Sequence, residues 1–374
     1  MRRIYLDNNA TTALDPLVRE AIDQTYARYQ ANPASQHADG QAARSVLEDA
    51  RDAIGAALGV GRDDRLVFTS GATESNHMAL LGLAGSRPAT VLISAVEHPS
   101  VQGAASLLRE RGFTTRELPV DHQGRIDLGR FAELLTPKVA VVSVLYANHE
   151  TGVIQPIDQI AAICRSKGIV FHTDAAQAVG KVPIEFARLG VDAMSIAPHK
   201  FHGPPGVGGL LVRKGLTIQP MFLGGFQQGG LRPGTESVAL AVGFRVALEL
   251  AAAGPWRHLR TLTELRDGFE AGLVDRIPIV VHGCGALRVP QTSCISFPGA
   301  DRQRLFLALD LAGISCSTGS ACASGSSEPS PVLQAMHVRE ELVGSALRFS
   351  FARTNDLQDL SEAVDRIVAV YQRG

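Results

Sequence analysis

The sequence predicts an α/β fold: a large domain on a mostly parallel sheet flanked by helices, plus a smaller α/β C-terminal domain. Three observations predict it. Short β-branched runs alternate with amphipathic helical segments through the first two thirds of the chain, the pattern of a helix-covered parallel sheet. Near Ala251 the texture changes, where the run Ala251-Ala252-Ala253-Gly254-Pro255 breaks a helical stretch. The 374 residues suffice for one large and one small domain.

The candidate strands, in order, are Leu66–Thr69, Thr90–Ser94, Val139–Leu145, Ile169–Thr173, Ala193–Ala197 and Gly209–Val212. Helical periodicity falls between them over Ala43–Leu58, Glu74–Leu83, Ser100–Arg111 and Ile157–Ser166. Beyond the break, Trp256 starts a charged helix, and a helix near Leu357–Tyr371 closes the smaller unit. Sheets of this kind bind ligands beyond the carboxyl ends of their strands. Gly- and Ser-rich pieces at Gly203–Gly209, Gly224–Gly230 and Ser315–Ser330 are expected to form loops around a site.

Composition narrows the function classes. At 45% hydrophobic and 20% charged residues the chain is ordinary globular material. Lys and Arg total 36 against 37 Asp and Glu, a net charge of -1 that favours neither nucleic acid nor an anionic membrane as partner. The start, Met1-Arg2-Arg3-Ile4-Tyr5-Leu6-Asp7, is too short in apolar residues for a secretory signal. No run is long enough to span a membrane, so the cytoplasm is the expected compartment. The five cysteines (Cys164, Cys284, Cys294, Cys316, Cys322) are odd in number and form no Cys-x-x-Cys pair. A disulfide framework or a metal site is therefore not expected, and at least one free thiol needs a role.

Four segments carry candidate chemistry. Thr69-Ser70-Gly71-Ala72-Thr73-Glu74-Ser75-Asn76 joins a strand to a helix, and a glycine turn there presents N–H groups where the helix dipole favours an anion. An ordinary capped helix is the alternative. Ala95-Val96-Glu97-His98-Pro99-Ser100 puts His98 at the next strand-to-helix junction, facing a ligand or simply structural. Phe171-His172-Thr173-Asp174 ends an apolar run in a carboxylate, with Gln177 three residues on; Asp174 suits either a cationic ring nitrogen or a helix cap. Pro198-His199-Lys200 precedes a Gly/Pro loop, where a desolvated lysine amine can form a Schiff base. Taken in order, these parts suit an aldehyde cofactor with a phosphate, a stacking face and a protonated pyridine.

On these motifs the chain resembles the class V aminotransferase family, and within it the cysteine desulfurases of the nitrogen-fixation and iron–sulfur-cluster type. The resemblance also takes in Tyr5–Thr12, Asn32-Pro33-Ala34-Ser35, Arg232-Pro233-Gly234-Thr235-Glu236, Ser317-Thr318-Gly319-Ser320-Ala321-Cys322 and Leu347-Arg348-Phe349-Ser350. It implies a seven-stranded sheet, with residues 14–252 as the large domain and 1–13 with 253–374 as the small one. It implies pyridoxal 5'-phosphate as cofactor and L-cysteine as substrate, with sulfur passing through an enzyme persulfide to an acceptor protein. Lys200 would form the Schiff base, His98 stack on the ring and accept protons, Asp174 keep the ring nitrogen protonated, and Gln177 bond the ring hydroxyl. Ala72, Thr73 and His199 would bind phosphate. Thr235 would reach the neighbouring subunit's phosphate in a homodimer. Arg348 would clamp the substrate carboxylate, Asn32 lies near the substrate entrance, and Cys322 is the nucleophile.

Three departures from the family pattern stand out. His149, in Tyr146-Ala147-Asn148-His149-Glu150-Thr151-Gly152, replaces the usual asparagine that contacts cofactor and substrate; an imidazole there has a pH-dependent charge. Ala197 replaces a serine and removes one phosphate hydrogen bond. The chain ends at Gly374, where members serving an iron–sulfur scaffold often carry a tail. Competing readings are a selenocysteine lyase or class V aminotransferase on the same fold, and a non-catalytic scaffold.

Overall fold

The computed structural model describes residues 2–253, 255–319 and 328–373. In chain order its strands are β1 (Ile4–Tyr5), β2 (Arg65–Thr69), β3 (Thr90–Ser94), β4 (Thr114–Leu118), β5 (Val139–Ser143), β6 (Val170–Asp174), β7 (Ala193–Ile196), β8 (Gly208–Val212), β9 (Val280–Val281), β10 (Thr292–Ser296), β11 (Ile314–Ser315) and β12 (Ala346–Ser350). Seven of them form the central sheet, in the order β2-β8-β7-β6-β5-β3-β4. β8 runs antiparallel to both its neighbours, and every other pair is parallel. The mostly parallel seven-stranded sheet expected from the sequence is the one observed.

Helices cover both faces, and side-chain alternation along the strands assigns each residue to a face. Leu66 and Phe68 of β2 and Leu92 of β3 pack with the helices Pro16–Arg28, Ala38–Ala57, Ile157–Ser166 and Val238–Ala252. Val67, Val91 and Ile93 face the other way, against the helices Ala72–Leu83 and Pro99–Glu110. The inner strands are buried on both sides, so they read as continuous apolar runs.

A second core lies in the C-terminal part. There β12, β10 and β9 form an antiparallel sheet, and β1 pairs with β11 in parallel. Phe269, Phe349, Phe351 and Phe297 meet at tilted or edge-on angles with centroids 5.1–6.3 Å apart. Leu347, Phe349 and Phe351 turn into this core. The intervening Arg348 and Ser350 therefore face the opposite way. No helix among the described residues is long and apolar enough to cross a membrane.

The boundaries differ from expectation in informative places. The helix expected from Ala43 starts at Ala38, where the His37 ring accepts the Gly40 N–H. The run expected as strand to Leu145 leaves strand geometry after Ser143, though Val144 and Tyr146 still donate to the His172 and Asp174 carbonyls. No regular helix follows Asp174; the chain turns through Ala175–Gly180 instead. β4 was not foreseen, because Thr114-Thr115-Arg116-Glu117-Leu118 is a polar, largely exposed edge strand without an apolar run.

One contact ties the sheet to the ligand side. β8 starts beside the end of β2, and a Cβ on Gly208 would lie 2.6 Å from the Cα of Gly71. Backbone at that distance must move. Gly208→Ala is expected to cost about 1–3 kcal/mol in urea unfolding; unchanged stability would show that the Gly71 turn yields freely.

Candidate active site

The carboxyl ends of β2, β3, β5, β6 and β7 all open on one cavity of about 390 Å³. Ala72, Thr73, His98, His149, Asp174, Gln177, His199, Lys200 and Arg348 line it. Asn32, expected near the entrance, and Thr235, expected to serve a neighbouring subunit, do not line it. Asn32 is exposed, with its side-chain oxygen taking the Ala34 N–H, and Thr235 sits exposed in a separate loop. Cys322 lies outside the described residues.

At one end the helix Ala72–Leu83 opens after Gly71 with no side-chain cap. Its first N–H groups are left for a ligand, and a Cβ at Gly71 would meet nothing within 4 Å. His199 stands beside this end, its Nδ1 3.2 Å from Thr11 Oγ1. Burial, then Lys200 and Lys181, push it down to about 4, so it is neutral at pH 7. Buried Ala197 supplies no hydroxyl.

Asp174 ends β6 on the cavity floor. Its Oδ2 accepts from the Asn76 side chain at 2.7 Å and its Oδ1 from the Ala176 N–H at 2.9 Å. Asn76 also donates to Ser100 Oγ at 2.9 Å, and Ser100 Oγ lies 2.7 Å from His98 Nδ1. The Ser100 N–H reaches the same nitrogen at 3.1 Å. One network therefore joins Asp174 to His98. Burial lowers the His98 pKa against the pull of Asp174. With Nδ1 taken as an acceptor, the neutral ring carries its hydrogen on Nε2.

Lys200 follows β7 in a single 3₁₀ turn, Pro198–Lys200. Its Nζ donates to the carbonyls of Asn9 and Ala10 at 2.6 and 2.8 Å. The Asn9 carbonyl also accepts from Gln177 Nε2 at 2.9 Å. Gln177 Oε1 accepts from buried Lys181 at 2.7 Å.

Arg348 is 2% exposed. Its Nη2 pairs with Asp7 at 2.7 Å and its Nη1 donates to the His149 carbonyl at 3.0 Å. Its Nε has no partner, so the guanidinium keeps donors for an anion. His149 meets His98 edge-on, with ring centroids 5.2 Å apart. Burial, with His98, Arg348 and Lys200, pushes His149 well below an ordinary histidine. It is a neutral ring at pH 7, and its buried Nδ1 has no partner.

The arrangement has the parts a flat, aldehyde-bearing phosphate ester needs: an uncapped helix start, a carboxylate on the floor, a ring in the wall and a half-buried amine. Asn9, Asn76, Glu97 and Lys181 also build the site and carry no sequence signal of their own. They act through hydrogen bonds to backbone or to other polar side chains, most of them far apart in the chain.

The flanks of residues 320–327 are tied to the cavity wall. Ser317 exchanges backbone hydrogen bonds with Arg348 at 3.0 and 2.7 Å. On the far side the Ser330 hydroxyl donates to buried Glu150 at 2.6 Å. Among the described cysteines, Cys164, Cys294 and Cys316 are buried and Cys284 is exposed. Burial pushes the Cys164 thiol up to about 12, and those of Cys294 and Cys316 higher still.

Comparison with known proteins agrees with this geometry. A family model described as aminotransferase class-V matches residues 4–362. A cysteine desulfurase of Cereibacter sphaeroides is 40% identical over 374 residues, covering 99% of this chain and 95% of that protein. The cysteine desulfurase NifS of Azotobacter vinelandii is 40% identical, covering 98% and 91%. A solved structure named as a NifS-like protein superposes with a TM-score of 0.93 at 32% identity, covering 100% of both chains.

Glu97 gives the site a measurable pH signature. Ser94 Oγ and the Leu145 N–H donate to its Oε1 at 2.9 and 2.8 Å, which ties the ends of β3 and β5 together. Burial, then Asp174, raise its pKa from 4.5 to about 8, so the folded protein holds it protonated at pH 7. A group raised on folding loses its contribution as pH climbs. Relative to Glu97→Gln, the wild type is therefore expected to lose more than about 1 kcal/mol between pH 5 and pH 8.5 in urea unfolding. A difference that does not change with pH would contradict this.

Proposed function

The chain belongs to the class V aminotransferase family, and on that footing we propose that it is a cysteine desulfurase working through Lys200 and Cys322. It converts L-cysteine to L-alanine. The observation that carries this reading is the meeting of Lys200, Asp174, His98, Gln177 and Arg348 around one cavity, with Ser317 bonded to the backbone of Arg348.

Pyridoxal phosphate bound there would supply the electron sink. Its phosphate would rest on the N–H groups of Ala72 and Thr73, with neutral His199 beside it. Ala197 adds nothing, so backbone donors carry the anion. Asp174 would stand at the ring nitrogen, Gln177 at the ring hydroxyl, and His98 against the ring face. His149 would present its unpartnered Nδ1 to cofactor or substrate. Lys200 is the amine that would anchor the cofactor covalently.

Arg348 orients L-cysteine by its carboxylate, held rigid by Asp7 and the His149 carbonyl. Lys200 Nζ takes the Cα proton. His98 would stack on the ring face and accept protons beside it. Cys322 attacks the substrate sulfur as a thiolate. The new S–S bond forms as the substrate C–S bond breaks, leaving a persulfide on Cys322. An acceptor protein would then take the sulfur in the cytoplasm.

We also propose a homodimer. Thr235 lies away from this chain's cavity, so it would serve a partner's. Leu223 and Phe226 are 92% and 94% exposed in the preceding loop, apolar surface that a second copy would cover. Residues 14–252 would form the large domain, and 1–13 with 253–374 the small one; the separate aromatic core around Phe349 supports that division.

Two variants test the assignment. Lys200→Ala should abolish the visible absorbance of the bound cofactor, and an unchanged spectrum would rule the lysine out. Cys322→Ser should keep the cofactor yet lose sulfide release from L-cysteine by at least about 100-fold. Full release would move the nucleophile elsewhere.

A further inference from the structure

Behind Lys200 lies a second buried amine. Lys181 is 7% exposed, and no carboxylate among the described residues pairs with it. Burial, then Lys200 and Arg348, push it well below an ordinary lysine. Lysine is almost never buried without a paired charge. An apolar residue would fill the place at lower cost, so the amine itself needs explaining.

The bond it makes supplies the explanation. Lys181 Nζ donates to Gln177 Oε1 at 2.7 Å, and Gln177 Nε2 donates to the Asn9 carbonyl at 2.9 Å. Lys200 Nζ reaches that same carbonyl at 2.6 Å. Lys181 and Lys200 also share the wall of a separate cavity of about 60 Å³. An amide has one accepting end and one donating end. If Gln177 turned over, its oxygen would face the Asn9 carbonyl oxygen, and its N–H groups would be withdrawn from the active-site cavity.

We propose that Lys181 is a positioning residue: it fixes the orientation of the Gln177 amide, so that its N–H₂ end faces Asn9 and the cofactor cavity. The inference rests on the reading of Gln177 as a cofactor ligand and names what holds that ligand in its working orientation. Lys181 touches neither substrate nor cofactor.

A thermodynamic cycle tests it. The wild type, Lys181→Met, Gln177→Ala and the double variant are each stripped of cofactor. Binding of added pyridoxal phosphate is then measured by equilibrium dialysis, with thermal melting of the apo-proteins as a folding check. Lys181→Met should weaken binding about 10-fold in the wild-type background, the order expected for one buried hydrogen bond. In the Gln177→Ala background it should change binding less than about 2-fold, because the amide it orients is gone. Equal weakening in both backgrounds, or none in either, overturns the proposal. Lys181→Ala, which also lacks the donor, takes the same place should Lys181→Met not fold. Failure of the wild type itself to bind the cofactor would instead remove the parent reading, and this one with it.

Discussion

The Asn9 carbonyl is the joint on which the site depends. It receives the amine of Lys200 and the amide of Gln177, one from after β7 and one from after β6. Asn9 is itself pinned from the other side. Its N–H donates to Ser350 Oγ at 2.8 Å, and its side chain donates to Thr292 Oγ1 at 2.8 Å and to the His149 carbonyl at 3.2 Å. An N-terminal segment of a few residues thus clamps strand ends of the large sheet to β10 and β12 of the smaller unit. A buried carbonyl that loses its donors costs the full desolvation penalty, so the register of this segment is strongly specified.

Charge explains the chemistry the site can support. Arg348, Lys200 and Lys181 converge on a region where Asp174 and Asp7 are the nearby carboxylates that the geometry brings into play. His98, His149 and His199 are all pushed toward the neutral form by burial and by these cations. Glu97 holds its proton for the complementary reason, burial beside Asp174. The site therefore keeps fixed positive charge on Arg348, while burial and neighbouring cations push its histidines and Lys181 toward their neutral forms. That balance suits a ligand carrying a phosphate and a carboxylate.

Much of the architecture was legible in the sequence, because a parallel sheet buried on both faces writes itself as apolar runs separated by helical periods. Asp174 was legible because it ends an apolar run at the carboxyl end of a strand, and Lys200 because it stands between a strand and a Gly/Pro loop. Arg348 is explained by period-2 alternation once Leu347 and Phe349 are seen to face a core. What was not legible is long-range. Nothing in Val179-Gly180-Lys181-Val182 says that the amine turns inward. Nor does anything in Glu97 or Asn76 foretell a bond across two strands. The contact of His98 Nδ1 with the Ser100 hydroxyl and N–H likewise shows only in the structure. Asn32 and Thr235 were placed by resemblance alone, and both lie outside this chain's cavity.

The central claim is that Lys200 and Cys322 act on one molecule of L-cysteine. The most direct measurement is a single turnover with sulfur-labelled L-cysteine, quenched in acid, alkylated and mapped by peptide mass spectrometry. The account predicts one labelled sulfur per chain on the peptide bearing Cys322, formed together with an equal amount of alanine. Label on the exposed Cys284 instead, or alanine formed with no label on any cysteine, would contradict it.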